Sequence, residues 1–169
     1  MKWNKEKIQR LSKRALIGVA VVLLLAQFVP VDRTNPPVES WVDAPADVIA
    51  VLEKACYDCH SNETTWPAYS RVAPISWLVA DHVHEGREAV NYSTWNRYSA
   101  EERAELLEET WEEVEEGEMP VKGYSLLHSR ARLSDADRSL LRSWAAGAAG
   151  AAGAAGAEGA EHEEEDDEE

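Results

Sequence analysis

From Ala15 to Val31 the chain is apolar except for Gln27 and Pro30, and beyond that run its apolar residues recur at helical spacing. Val48, Leu52, Ala55, Cys56 and Cys59 share one face of a predicted helix. It opens near Asp43-Ala44-Pro45, where a capping residue precedes a proline tolerated in the first turn. A second helix is predicted from Pro74 toward Arg87 or Val90, with Ile75, Leu78, Val79, His82 and Val83 as its inner stripe. The third has the clearest ends. Ser99-Ala100-Glu101-Glu102 is a capping box, Ala104, Leu107, Trp111 and Val114 follow at steps of three and four, and Gly117 suits the left-handed residue just past the helix. Ser134-Asp135-Ala136-Asp137 reads as another cap with an acidic first turn. It leads a last helix through Leu140, Leu141 and Trp144 that is expected to pack on the first of these. The fold class that follows is mostly α.

Lys2, Lys5, Lys7, Arg10, Lys13 and Arg14, against only Glu6, make residues 1–14 basic, and a basic stretch before an apolar run is the pattern of an export signal. As one helix the run spans about 25 Å, slightly short of a bilayer core of about 30 Å. No small-x-small pair closes it, since Leu24 and Phe28 stand at those places. Residues 1–31 are therefore read as an uncleaved signal anchor, with everything after Val31 on the outer side of the cytoplasmic membrane. Residues 32–44, with Pro36-Pro37, are expected to form a tether, and residues 45–144 a single domain with one modest core. In residues 145–169 a glycine every third position alternates with alanines and no proline, which excludes collagen and predicts a flexible linker. The final HEEEDDEE is expected to be disordered.

The formal net charge of −15 divides into +5 over residues 1–31, −11 over 32–144 and −9 over 145–169. An acidic domain of this kind repels nucleic-acid phosphates. It fits a basic redox partner, or adaptation to high salt.

Both cysteines of the chain lie in Cys56-Tyr57-Asp58-Cys59-His60. The C-x-x-C-H pattern reads as a c-type haem attachment site. Thiols three residues apart on a helical turn project from one side, so each can form a thioether to one vinyl group of the same porphyrin, with His60 placed to ligate the iron. A thioredoxin-like redox pair belongs beside a strand, and no apolar run here reads as one. A structural zinc site needs four ligands, and His82, His84 and His128 form no second tight cluster. A disulfide across three residues would be strained. An extracytoplasmic location also agrees with covalent haem better than with a free thiol pair.

For the second axial position Met119 is the leading candidate, in the Gly/Pro-bounded loop Gly117-Glu118-Met119-Pro120, with His82 and His128 behind it. A thioether is a soft ligand that raises the potential of haem iron relative to two histidines. Trp66 and Tyr69 are candidates to pack on the porphyrin, and Arg71 and Arg87 to meet its propionates.

Residues 45–144 resemble the haem-binding domain family of bacterial c-type cytochrome-like proteins. The matching passages are CYDCHSNETTWPAYSRVAPISWLV, HEGREAVNYSTW, GEMP and HSRARLSDAD. The resemblance implies one haem c attached at Cys56 and Cys59, proximal ligation by His60, distal ligation by Met119, and a mostly helical cytochrome-c-like fold. Tyr92 and Ala68 stand where Phe and Trp are more typical, which is read as a packing change. The functional expectation is a one-electron carrier rather than an enzyme. A haem-based sensor or gas-binding module is one alternative, and the other is a peroxidase-like enzyme that would need an open iron position and His82 as its acid–base group.

Overall fold

In the computed structural model, residues 5–147 are described. Among them the chain is mostly helical, with no strand and one isolated bridge between Ser40 and Thr94. The expected tail falls outside the described residues beyond position 147.

Lys5–Ala26 form α1, which has no buried residue. It stops short of the predicted end. The N–H groups of Gln27, Phe28 and Val29 turn back to the carbonyls of Leu24, Leu25 and Ala26, and Pro30, with no N–H to give, closes the turn. The apolar run Ala15–Val31 is therefore not one helix, and among the described residues no helix is long and apolar enough to cross a membrane.

Residues 32–44 do not hang free as a tether. Asn62 donates to the Pro37 carbonyl at 2.9 Å, the Asn35 amide donates to the Thr64 carbonyl at 2.9 Å, and Glu39 N–H bonds the Ser93 carbonyl at 2.9 Å. Arg97 pairs with Glu39, and Val42 enters the core. Pro36-Pro37 keeps the strap extended, and its polar neighbours satisfy carbonyls of the domain that no helix uses.

Helix α2, Ala46–Ala55, buries Val48, Val51, Leu52 and Ala55. Pro45 itself takes the capping position and gives no side-chain bond, so the expected cap by Asp43 does not form. The predicted helix does not run through Cys59 either. It breaks at Cys56 (φ −119°, ψ −38°), and a single further turn, α3, covers Tyr57–His60. Ile75–Ala89 form α4, within a residue of the predicted ends. Its buried face is Ser76, Val83 and Gly86, rotated from the predicted stripe, since Ile75 and Leu78 are about half exposed.

Helix α5, Ala100–Glu116, has the predicted ends: Ser99 and Glu102 form a reciprocal capping box, and Gly117 takes φ +78° just past the last turn. A short helix α6, Lys122–Leu127, precedes the last one, α7, over residues 135–147. The core joins Val48, Val51 and Leu52 of α2 to Tyr92, Trp95, Leu107, Val114, Leu141 and Ala145.

At the start of α7, Ser134 and Asp137 cap each other, with Asp137 N–H to Ser134 Oγ at 3.2 Å and Ser134 N–H to Asp137 Oδ2 at 2.8 Å. Lys54 Nζ on α2 lies 2.7 Å from the same carboxylate oxygen. Burial pushes the Asp137 carboxyl up, but the bonds from Lys54 and Ser134 outweigh it and hold it at about 2. A carboxyl depressed on folding stabilises at pH above its unfolded value near 4, and the contribution disappears as pH falls toward 2. Asp137→Ala should therefore cost about 1–2 kcal/mol at pH 7 through the lost cap and partly screened ion pair. The difference from wild type should close near pH 2. Thermal melts at both pH values test this, and an equal gap at the two would contradict it.

Candidate functional site

The break at Cys56 sets the geometry of the cysteine–histidine turn. His60 N–H returns to the Cys56 carbonyl at 2.9 Å, so the five residues close into a tight loop at the end of α2. Asp58, between the cysteines, accepts from Thr65 N–H at 2.8 Å and from the Tyr124 hydroxyl at 2.5 Å. Those two bonds tie the turn to the next loop and to α6.

Helix α4 lies directly on this turn because Gly86 has no side chain. A Cβ there would stand 2.7 Å from the Cys59 carbonyl oxygen and 3.1 Å from the Cys59 Cβ. The close approach carries Val90, at the end of α4, to His60. Its carbonyl accepts from His60 Nδ1–H at 3.2 Å. That bond fixes the tautomer and leaves Nε2 with its lone pair free for ligation. Burial lowers the pKa of the imidazole, against the opposing effect of the Val90 and Gly86 carbonyls, so the neutral, ligating form is favoured.

Beside this turn is a cavity of about 530 Å³. Cys56 and His60 line it from one side, Tyr92 and Val90 from the back, and Leu106, Val114 and Met119 from the α5 side. The exposed Glu109, Glu112 and Glu113 contribute its acidic rim. Met119 is brought here by the end of α5: after Gly117 reverses the chain, the N–H groups of Glu118 and Met119 both bond the Glu113 carbonyl at 3.0 Å. Tyr92 is buried, and its hydroxyl, which a phenylalanine would lack, pairs with Thr110 Oγ1 at 3.1 Å.

The other sequence candidates lie elsewhere. His82 and His128 do not line the cavity. His128 stacks on Tyr124 with ring centres 4.2 Å apart and takes a 3.4 Å bond from the Tyr69 hydroxyl. Trp66 donates to Asn35 at 3.0 Å, away from the cavity. Arg87 is committed to the strap and the turn, with bonds to the Ser61 and Thr34 carbonyls, Asn35 and Thr64, and Arg71 is exposed. Neither arginine lines the cavity. Cys59 sits against Gly86, just beyond the residues that line the space.

Burial pushes the Cys56 thiol up to about 12, with a smaller effect from Cys59, and pushes Cys59 up to about 11 by burial and Asp58, with Arg87 opposing. A reactive redox thiol has a depressed value instead. Among the described residues no cluster of three or more His, Cys, Asp or Glu side chains is arranged to hold a metal ion.

The model of the haem-binding domain family matches residues 21–147, well over half of the chain. This chain belongs to that haem-binding domain family. No curated protein and no solved structure matches it. The residues fit the family's cofactor. The cavity volume lies within the roughly 300–1,000 Å³ typical of cofactor pockets, its walls are largely apolar, and His60, held at Nδ1 by Val90, and Met119 both line it. Haem binding is thus the biochemical property of this domain.

Sequence reasoning did not single out Gly86, Asp58, Tyr124 or the buried Asn62–Asn91–Ser93 network. In that network Asn91 donates to Asn62 at 2.9 Å, and Asn62 N–H bonds Ser93 Oγ at 3.0 Å. A glycine inside an otherwise regular helix was the available signal for Gly86.

Proposed function

We propose that the domain holds one haem covalently as haem c, through thioethers at Cys56 and Cys59, with His60 and Met119 as the axial pair in a cytochrome-c-like enclosure. On this reading the protein is a one-electron carrier and not an enzyme. α1 and the residues after it hold the chain to the cytoplasmic membrane, and the haem domain faces outward. The bound haem would supply an iron that alternates between two oxidation states.

The observation that carries the reading is the convergence of Cys56, His60 and Met119 on one cavity. With His60 and Met119 both lining the same space, the chain has a donor for each axial position and keeps no place for substrate. The apolar walls exclude water. The acidic rim of Glu109, Glu112 and Glu113 favours a basic redox partner, whose encounter would weaken as salt rises.

The test is the visible spectrum of the haem-loaded chain after denaturation and acid extraction of haem, followed by native spectra with and without carbon monoxide. Haem retained by the denatured chain, with a sulfur-to-iron band and little carbon monoxide binding, is the expected result. Complete extraction would overturn covalent attachment. Covalent haem that binds carbon monoxide readily would replace electron transfer by sensing or catalysis.

A further inference from the structure

The end of α1 is fastened to the start of α4. Gln27 Oε1 accepts from Ala73 N–H at 3.0 Å, and Gln27 Nε2 donates to the Ala73 carbonyl at 3.2 Å. One glutamine thus satisfies both polar groups of a single peptide residue on the domain. The surface around this clamp is apolar and uncovered. Phe28 is 84% exposed, Val72 54%, Leu78 53% and Ile75 46%. Ile75 and Leu78, three residues apart, share one face of α4, and the extended Val72 lies just ahead of the helix. Trp77, also exposed, lines a neighbouring groove with Pro30 and Val31, together with the polar Asp32, Asp81, His84 and Arg87, so the residues after α1 meet the first turns of α4 there as well.

We propose that this surface rests in the interfacial layer of the bilayer that α1 enters, so that the haem domain docks on lipid in a fixed orientation. The inference rests on the membrane attachment proposed above. The apolar part of α1, Ala15–Ala26, is about 18 Å long, whereas a hydrocarbon core is about 30 Å thick. A segment this short must thin the bilayer or draw its flanking residues in. The residues at its end that can be drawn in are Phe28, Val29 and the start of α4, and the Gln27 clamp prevents α1 from entering without them. Trp77 has the amphipathic ring favoured at headgroup depth. The exposed Arg71 beside Val72 is placed to meet lipid phosphate, while Asp81, Glu85 and Glu88 come on later turns of α4.

The test uses the full haem-loaded chain in phosphatidylcholine vesicles containing a diazirine-bearing phospholipid, with photolabelled residues mapped by mass spectrometry. Label is expected on residues 15–29 and on residues 72–78. The Ile75→Glu/Leu78→Glu variant, changed at two exposed positions, should lose the second label about fivefold or more and keep the first. Label on 15–29 alone would overturn lipid docking, leave membrane attachment standing, and assign the surface to a protein partner. Label on neither segment would overturn both. A label on 72–78 that ignores the two glutamates would overturn specific docking.

Discussion

Met119→Ala should lower the reduction potential on the order of 0.1 V, a modest part of the roughly 0.8 V over which axial ligands set haem potentials, and should admit carbon monoxide. A soft thioether favours the ferrous state, and its removal leaves the iron to water or to a harder donor. The side chain is half-buried against the core, so truncation also lowers stability by about 2 kcal/mol through the space left behind. Met119→Leu separates the two effects. Leucine keeps most of the volume and cannot ligate, so it should restore melting temperature without restoring potential. Redox titration and thermal melts of both variants decide the point. A potential unchanged in both would place the second ligand elsewhere.

The helices with strong local chemistry at their ends were legible in the sequence. Ser99 with Glu102, Ser134 with Asp137, and Gly117 each satisfy or redirect backbone groups using neighbours within a few residues. No long-range information is needed to read them. Haem was legible in Cys56-Tyr57-Asp58-Cys59-His60 for the same reason: the chemistry is local.

Tertiary packing decided what was not legible. The break at Cys56 interrupts a periodicity that continues through Cys59, and only the folded chain shows α3 pressed against Gly86. On α4 apolar content does not track burial. Ile75 and Leu78 are outside, whereas Ser76 and Gly86 are inside, where small size matters more than hydrophobicity. The composition of residues 32–44 is that of a tether. Their backbone carbonyls instead accept from the side chains of Asn62 and Arg87, more than twenty residues away, and those partners are invisible to a local reading. The bonds of Arg87 to Ser61, Thr34, Asn35 and Thr64 are long-range in the same way.

Gly86→Ala should destabilise the domain and disturb the site together. The added methyl would press on the backbone of Cys59, which has no flexible end to yield, so α4 and the cysteine–histidine turn must separate. Overpacking of this kind costs about 1–3 kcal/mol, and the better helix propensity of alanine returns only about 1. The net loss, up to about 2 kcal/mol, corresponds to a melting temperature lower by up to roughly 16 °C in a domain of this size. Separation also moves the Val90 carbonyl from His60 Nδ1, which loosens the ring and should weaken the sulfur-to-iron band by shifting the iron from the Met119 side. Gly123→Ala is the control, since a Cβ on Gly123 of α6 meets nothing within 4 Å and should be neutral or slightly stabilising. If both variants melted like wild type, the contact between α4 and the turn would not be what holds His60 in place.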